Sequence, residues 1–310
     1  MTTHTIFGAG QIGLPLAARL ASQGTEVRLV RRGLPGPDID GVTWCQGDVR
    51  DPDFAAACTE GAAVVYNCMN PAAYHRWPTL LPPLVRGVLR ATRRAGARLV
   101  CLDNLYMYGA PDGPMREDSP LQPCSEKGAL RAELAAELQD AHQRGDVEIA
   151  IGRASDFFGP SAPRAAIFHD RFFERVARGA SVEVFGDPDR PHAYSYTLDV
   201  VEGLATLGSS DEAFGRVWHL PVSSQETTRA LIERFANALG QAARVRSIPR
   251  WMLRMAGWFV PIAGAVVEMT YQWETDFRVD DGAFRSTFGV EPTPVDVAVD
   301  ATLRARGLAA

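Results

Sequence analysis

The sequence predicts an α/β fold: a doubly wound parallel sheet with a smaller C-terminal α/β lobe. Three observations lead there. A glycine turn sits between a strand and a helix within residues 4–22. Apolar strand runs then alternate with amphipathic helical runs to about residue 151, and the rhythm loosens after it. Strands alternating with helices imply parallel pairing through right-handed crossovers.

Residues 4–8 read as a short buried strand, and 11–22 as a helix with Ile12, Leu16 and Leu20 on one face. Strands follow at 26–30 and 42–46. Residues 54–60 form a short helix stopped by Gly61, and 63–67 a continuous apolar strand. Residues 80–95 are helical up to Gly96, 98–102 a strand, 125–143 a helix and 147–151 a strand. Later come helices at 165–178 and 198–207, strands at 182–185 and 216–220, and two or three helices running to Gln272. Residues 1–160 thus form a sheet domain completed by later strands. Residues 161–310 form a lobe interleaved with it and closing over its carboxyl edge, where ligands bind in such folds.

A chain of 310 residues is long enough for this arrangement. A net charge of −5 argues against a nucleic-acid surface or a polybasic membrane contact. The five cysteines are scattered without a CxxC pair, which suits reduced thiols in a cytoplasmic protein. The first strand begins at once, leaving no room for a signal peptide. Residues 251–273 are apolar, but Arg254, Pro261 and Glu268 interrupt them, so they read as helices over a pocket or interface. The six histidines are too dispersed to form a metal set, and no GxSxG, HExxH or P-loop is present. Of 32 basic residues only Lys127 is a lysine. Where arginine serves everywhere else, the one lysine calls for a chemical reason.

The turn Gly8-Ala9-Gly10-Gln11-Ile12-Gly13 fits GxGxxG. Its first glycine permits the bend, its second lets backbone approach a pyrophosphate, and its third packs helix on strand. The helix N-terminus offers N–H groups to the phosphates. Its context between a strand and an amphipathic helix marks a Rossmann-type dinucleotide site. The second strand runs into Arg31-Arg32 where NAD binders carry an acidic residue for the ribose. Guanidinium groups pair with a 2′-phosphate, so NADP(H) is expected ahead of NAD(H).

Further motifs follow in order: Gly47-Asp48-Val49-Arg50-Asp51, Tyr66-Asn67-Cys68-Met69-Asn70, Met107-Tyr108-Gly109, Arg153 to Pro160, Asp199-Val200 and Phe288 to Pro292. Together they resemble the extended short-chain dehydrogenase/reductases, the epimerase/dehydratase group, over nearly the whole chain. The resemblance implies that Asp48 and Val49 meet the adenine and that Cys68, Met69 and Asn70 line the nicotinamide ribose. It also implies a homodimer paired through the helices at 80–95 and 125–143.

The chain departs from the family at its chemistry. The family's Ser or Thr four residues before the VYG tyrosine is Asn104 here. The family's YxxxK aligns with Cys124 and Gly128, one residue past Lys127. A positive charge in a first helical turn is electrostatically disfavoured, so Lys127 is expected at the cofactor ribose or substrate. Tyr106, two residues past Asn104, becomes the candidate acid, on the same side as Asn104 if the segment stays extended. A substrate hydroxyl beside the carbonyl is the alternative proton source. Cys124, Ser155, His192 and Tyr194 complete the candidate substrate contacts, with His192 where sugar-nucleotide enzymes carry a diphosphate-binding arginine. The aromatics Trp77, Tyr194, Tyr196 and Trp251 suggest an apolar or aromatic carbonyl substrate. The expectation is an NADP(H)-dependent ketoreductase of a specialised pathway. The alternatives are a nucleotide-sugar epimerase or dehydratase, or a catalytically silent NADP(H)-binding module.

Overall fold

The computed structural model describes residues 2–308. In chain order the elements are β1 Thr3–Phe7, α1 Gly13–Ser22, β2 Glu26–Arg31, β3 Val42–Gln46, α2 Pro52–Thr59, β4 Ala62–Asn67, α3 Trp77–Ala95, β5 Arg98–Asp103, α4 Glu126–Gln143 and β6 Ile149–Arg153. There follow β7 Asp156–Phe158, α5 Asp170–Ala177, β8 Val182–Phe185, β9 Tyr194–Tyr196, α6 Thr197–Ser209, β10 Val217–His219, α7 Thr228–Ala238, β11 Val245–Ile248, α8 Arg250–Gly257, α9 Pro261–Val267, α10 Gly282–Phe288 and α11 Val295–Arg304. Two compact units result. The first holds Met1–Asn104, Leu130–Arg153 and Val200–Leu220, the second Leu105–Ala129, Ala154–Asp199 and Pro221–Ala310. Residues 105–129 and 154–160 thus belong with the later chain, and 200–220 with the earlier, a finer interleaving than one cut at residue 160.

The first unit is a Rossmann-like parallel sheet of order β10-β6-β5-β4-β1-β2-β3. Its order reverses between β4 and β1, the point where such sheets open a ligand crevice. Ile6, Phe7, Val65, Leu99 and Val100 are fully buried, as continuous apolar strands are when both faces are covered. The run expected at 216–220 supplies the edge strand β10 beside β6. Helix α1 buries Leu16, Ala17 and Leu20, the face its periodicity marks. Helix α2 starts two residues earlier than expected. Asp51 accepts hydrogen bonds from the Asp53 and Phe54 amides, and Pro52 suits the first helical turn. Helix α3 starts at Trp77, tolerating Pro82 and Pro83 inside it, and ends at Gly96 with φ +63°.

The second unit packs around Phe235, whose ring lies 5.2–6.1 Å from those of Phe158, Phe168, Phe172 and Phe173. Helix α5 begins at Asp170, not at 165, because the His169 ring accepts the Phe172 amide and caps it there. Strands β7 and β9 pair with each other, as do β8 and β11. All four have only three or four residues, and β7, β9 and β11 escape a periodicity reading. The apolar stretch from Trp251 folds as the short helices α8 and α9 and a 3-10 turn at Thr270–Trp273. Among the described residues no helix is long and apolar enough to cross a membrane.

Candidate active site

The glycine turn lies at the carboxyl end of β1, and its three glycines have distinct reasons to be there. Gly8 has φ +104°, and a Cβ on it would come within 2.9 Å of the Cys68 carbonyl group. A Cβ on Gly13 would fall 1.8 Å from the Gly8 oxygen. Both are required by the fold. Gly10 is different: a Cβ there would meet nothing within 4 Å. Packing does not ask for glycine at this position, whereas close approach of a phosphate would. Ile12 precedes α1 without a side-chain cap, and no acidic residue stands in the first turn, so the positive end of the helix stays available to an anion. The cradle fits a dinucleotide pyrophosphate.

At the ends of β2 and β3 the two arginines divide. The Arg31 guanidinium lies over the Trp44 ring at 5.8 Å. The largely exposed Arg32 comes within 4.0 Å of Asp48. Asp48 is already gripped by Arg50, whose Nε and Nη2 donate at 2.6–3.1 Å. That hydrogen bonding holds the Asp48 carboxyl below its usual range. Val49 is buried, and Gly87 on α3 permits its close approach, since a Cβ there would sit 2.8 Å from the Val49 oxygen.

The carboxyl ends of β4, β5 and β6 carry a group that the sequence reading missed. Arg131 donates to Asp103 at 3.1 Å and to Asn70 at 3.2 Å, and its guanidinium covers the Trp77 ring at 4.7 Å. Arg153 lies 3.8 Å from the other Asp103 oxygen. All three charged side chains are at most 10% exposed. Two guanidiniums and one carboxylate thus form a buried charged cluster. The Arg131 Nε has no hydrogen-bond partner among the described residues. Arg153 opens the motif that runs to Pro160, but no role was read for it there, and nothing distinguished Arg131 in a chain whose basic residues are nearly all arginine. Of the ribose-lining candidates, Asn70 joins the cluster directly. The Met69 amide donates to the Asn67 side chain, and the Cys68 amide donates to the Phe7 carbonyl. The Asn104 amide donates to Asp103 at 2.9 Å.

In the second unit, Tyr106 opens a 3-10 turn, Tyr106–Tyr108, so the segment is not extended and the two-residue alternation with Asn104 does not apply. Gly128 lies against this turn, where a Cβ would come 2.5 Å from the Tyr106 oxygen. The Tyr271 hydroxyl donates to that same carbonyl at 3.5 Å. Burial, with Cys124, Tyr106, Asp156 and Glu268 nearby, pushes the Tyr271 phenol well above its ordinary value and keeps it protonated. Sequence reasoning passed over Tyr271 because it sits in an apolar stretch with no motif. Cys124 is exposed, and partial burial raises its thiol too.

Lys127 is 3% exposed. Its ammonium donates to the Glu268 carboxylate and to the Ala265 carbonyl. The second Glu268 oxygen accepts the Glu126 amide at 2.8 Å, so one carboxylate both caps α4 and neutralises the cation in its first turn. Replacing Lys127 by Met should lower the stability of the ligand-free chain by about 2 kcal/mol, since it strands a partly buried carboxylate. Arg should cost nearly as much, because a planar fork does not fit a compact ammonium's place. Thermal melts without ligand read this; unchanged melting for both would show that the pair does not hold the helix start.

The other substrate candidates are satisfied by the chain itself. Ser155 donates to the Ala193 carbonyl at 2.6 Å. His192 is buried, with Nε2 3.0 Å from Asp156 and Nδ1 3.0 Å from the Gln272 carbonyl. Its ring stacks between Trp273 and Phe277 at 5.4 and 5.2 Å. The Tyr194 hydroxyl lies 2.7 Å from Thr228 Oγ1. Trp77, Tyr194 and Tyr196 are core residues, and Trp251 stands 61% exposed. Three of the four aromatics read as signs of an apolar substrate are therefore packing, a distinction that sequence spacing does not carry.

A parallel sheet with a glycine-turn cradle at its switch point defines a nicotinamide-dinucleotide enzyme of the extended short-chain dehydrogenase/reductase type. Residues 5–219 match the NAD dependent epimerase/dehydratase family, and the chain belongs to it. A UDP-glucuronic acid decarboxylase 1 from Arabidopsis thaliana is 29% identical over 136 residues, 40% of this chain and 30% of that protein. A dTDP-6-deoxy-L-talose 4-dehydrogenase (NAD(P)(+)) from Kitasatospora kifunensis is 24% identical over 257 residues, 78% of this chain and 80% of its own. Among solved structures, the Bacillus cereus UDP-glucuronic acid 4-epimerase, in complex with UDP-glucuronic acid and NAD, is 16% identical. It superposes with a TM-score of 0.77 over 99% of this chain and 100% of that one. These relatives act on nucleotide sugars, which fits the epimerase/dehydratase alternative better than a ketoreductase for apolar substrates.

Proposed function

We propose that this chain acts on a nucleotide-linked sugar, changing the oxidation state of one sugar carbon during its cycle. The observation that carries the reading is the Asp103–Arg131–Arg153 cluster at the strand ends. It is polar and charged, a surrounding suited to a hydroxyl-rich, charged substrate and unsuited to an apolar ketone. The Gly8–Gly13 turn, with Gln11 and Ile12, would hold the pyrophosphate. Asp48 and Val49 would face the adenosine, and Cys68, Met69 and Asn70 the second ribose. A nicotinamide held there supplies reversible hydride transfer. Asn104 would steady the substrate oxygen and Tyr106 would exchange its proton, while Lys127, held by Glu268, positions the start of α4. Incubation with NAD⁺ or NADP⁺ and UDP-glucuronic acid, UDP-glucose, UDP-N-acetylglucosamine or dTDP-glucose, followed by mass spectrometry and isomer separation, tests this. Conversion of one of them is expected. Turnover of apolar ketones alone would restore the ketoreductase, and tight dinucleotide binding with no turnover of either class would leave a silent module.

The same proposal includes acceptance of NADP(H) beside NAD(H). Asp48 is neutralised by Arg50, and Arg32 keeps a cation beside the expected ribose. Arg32→Ala should weaken NADPH by about 1–3 kcal/mol and spare NADH, the range of charge-assisted bonds. Arg31→Ala should do less, since Arg31 lies on Trp44. Equal losses for both cofactors on Arg32→Ala would remove the preference. A homodimer through α3 and α4 follows from the family resemblance; light scattering at the 33.7 kDa of one chain would refute it.

A further inference from the structure

Cys45 on β3 and Cys58 on α2 are free thiols, each of which perturbs the ionisation of the other. The sheet register explains the meeting. Thr5 pairs with Arg28, Arg28 with Thr43 and Val30 with Cys45, so Thr5, Arg28 and Cys45 project from one face. Helix α2 lies on that face, with Thr5 Oγ1 donating to the Cys58 carbonyl at 2.7 Å. The Arg28 guanidinium donates to the carbonyls of Cys58 at 3.2 Å and Glu60 at 2.5 Å, which fixes a positive charge at the end of α2 that carries Cys58.

We propose that Cys45 and Cys58 are a peroxide-sensitive dithiol that closes to a reversible disulfide, with Cys45 attacking and Cys58 resolving. The Cys45 thiolate displaces hydroxide from hydrogen peroxide as the O–O bond breaks, leaving a sulfenic acid and, after protonation, one water. The Cys58 sulfur gives up its proton and attacks the Cys45 sulfur. The S–O bond breaks, and a second water leaves. Two thiols are oxidised and one peroxide is reduced to two waters.

The other cysteines are placed less well. The neighbouring Cys58 thiol, with help from Arg28, lowers the Cys45 thiol, and Cys45 is half-buried where Cys58 is buried, so Cys45 is the one a peroxide can reach. Cys68 is pushed up to about 12 by burial, and Cys101 higher still for the same reason. Cys124 is the most exposed, yet its thiol is raised and no second cysteine faces it among the described residues.

The test treats the full chain with a small excess of hydrogen peroxide and maps its peptides without reduction. Expected are a Cys45–Cys58 linked peptide, a loss of two thiols per chain and full recovery with dithiothreitol. In Cys58→Ser the oxidation should stop at a sulfenic acid on Cys45 that dimedone traps. Should that variant fold poorly, iodoacetamide labelling of the native chain at neutral pH serves, with Cys45 expected to react several-fold faster than Cys124. Oxidation of Cys124 first, disulfides between chains, or Cys45 and Cys58 still fully alkylatable after peroxide would each overturn the proposal. The readout is independent of any sugar substrate, so it stands or falls apart from the function proposed above.

Discussion

Gly10→Val should weaken nicotinamide-dinucleotide binding by about 100-fold or more, close to 2.7 kcal/mol, while leaving the ligand-free chain folded. Both halves follow from the same vacancy. A side chain at residue 10 meets nothing within 4 Å, so the chain has room for it, and that room is where a pyrophosphate would come against backbone. The flanking glycines give the contrast. Ala at Gly13 would place a methyl 1.8 Å from the Gly8 oxygen, and Ala at Gly8 would combine a 2.9 Å contact with a φ of +104°. Those variants should lose stability first and binding as a consequence. Calorimetric titration with NADH and NADPH, beside a thermal melt, separates the cases. Unchanged affinity in a folded Gly10→Val chain would mean that the turn is not the dinucleotide site.

The sheet was legible because fully covered parallel strands are written as uninterrupted apolar runs, and glycines such as Gly61 and Gly96 mark helix stops. The turn at Gly8 was legible because one residue type serves a backbone need at a fixed spacing. The rest of the candidate site depends on partners far apart in the chain. Lys127 stood out by composition alone, but its partner lies at Glu268, and no local spacing announces a carboxylate that caps one helix from the far end of another. Arg131 and Arg153 meet at Asp103 only when the strand ends are brought together. The aromatic residues show the converse error. Trp77 and Tyr194 carry the same letters whether they line a pocket or fill a core, and burial decides which.

In an assay that turns over a nucleotide sugar, Tyr106→Phe should lower kcat by about 10²–10⁴-fold, the range for loss of a positioned proton donor. Dinucleotide affinity should stay within about two-fold, because the phenol serves the substrate and not the cofactor. Tyr271→Phe is the informative comparison. Its hydroxyl reaches the Tyr106 carbonyl, and its phenol is held protonated by burial, so in this arrangement it steadies the 3-10 turn that presents Tyr106. Removing that hydroxyl should cost about ten-fold, as an ordinary positioning bond would, and leave the pH dependence of kcat unmoved. A larger loss at Tyr271 than at Tyr106 would transfer the acid to Tyr271, beside the thiol that stands where the family keeps its tyrosine. Full activity in both phenylalanine variants would place the proton on the substrate's own hydroxyl, leaving the chain to align and stabilise charge.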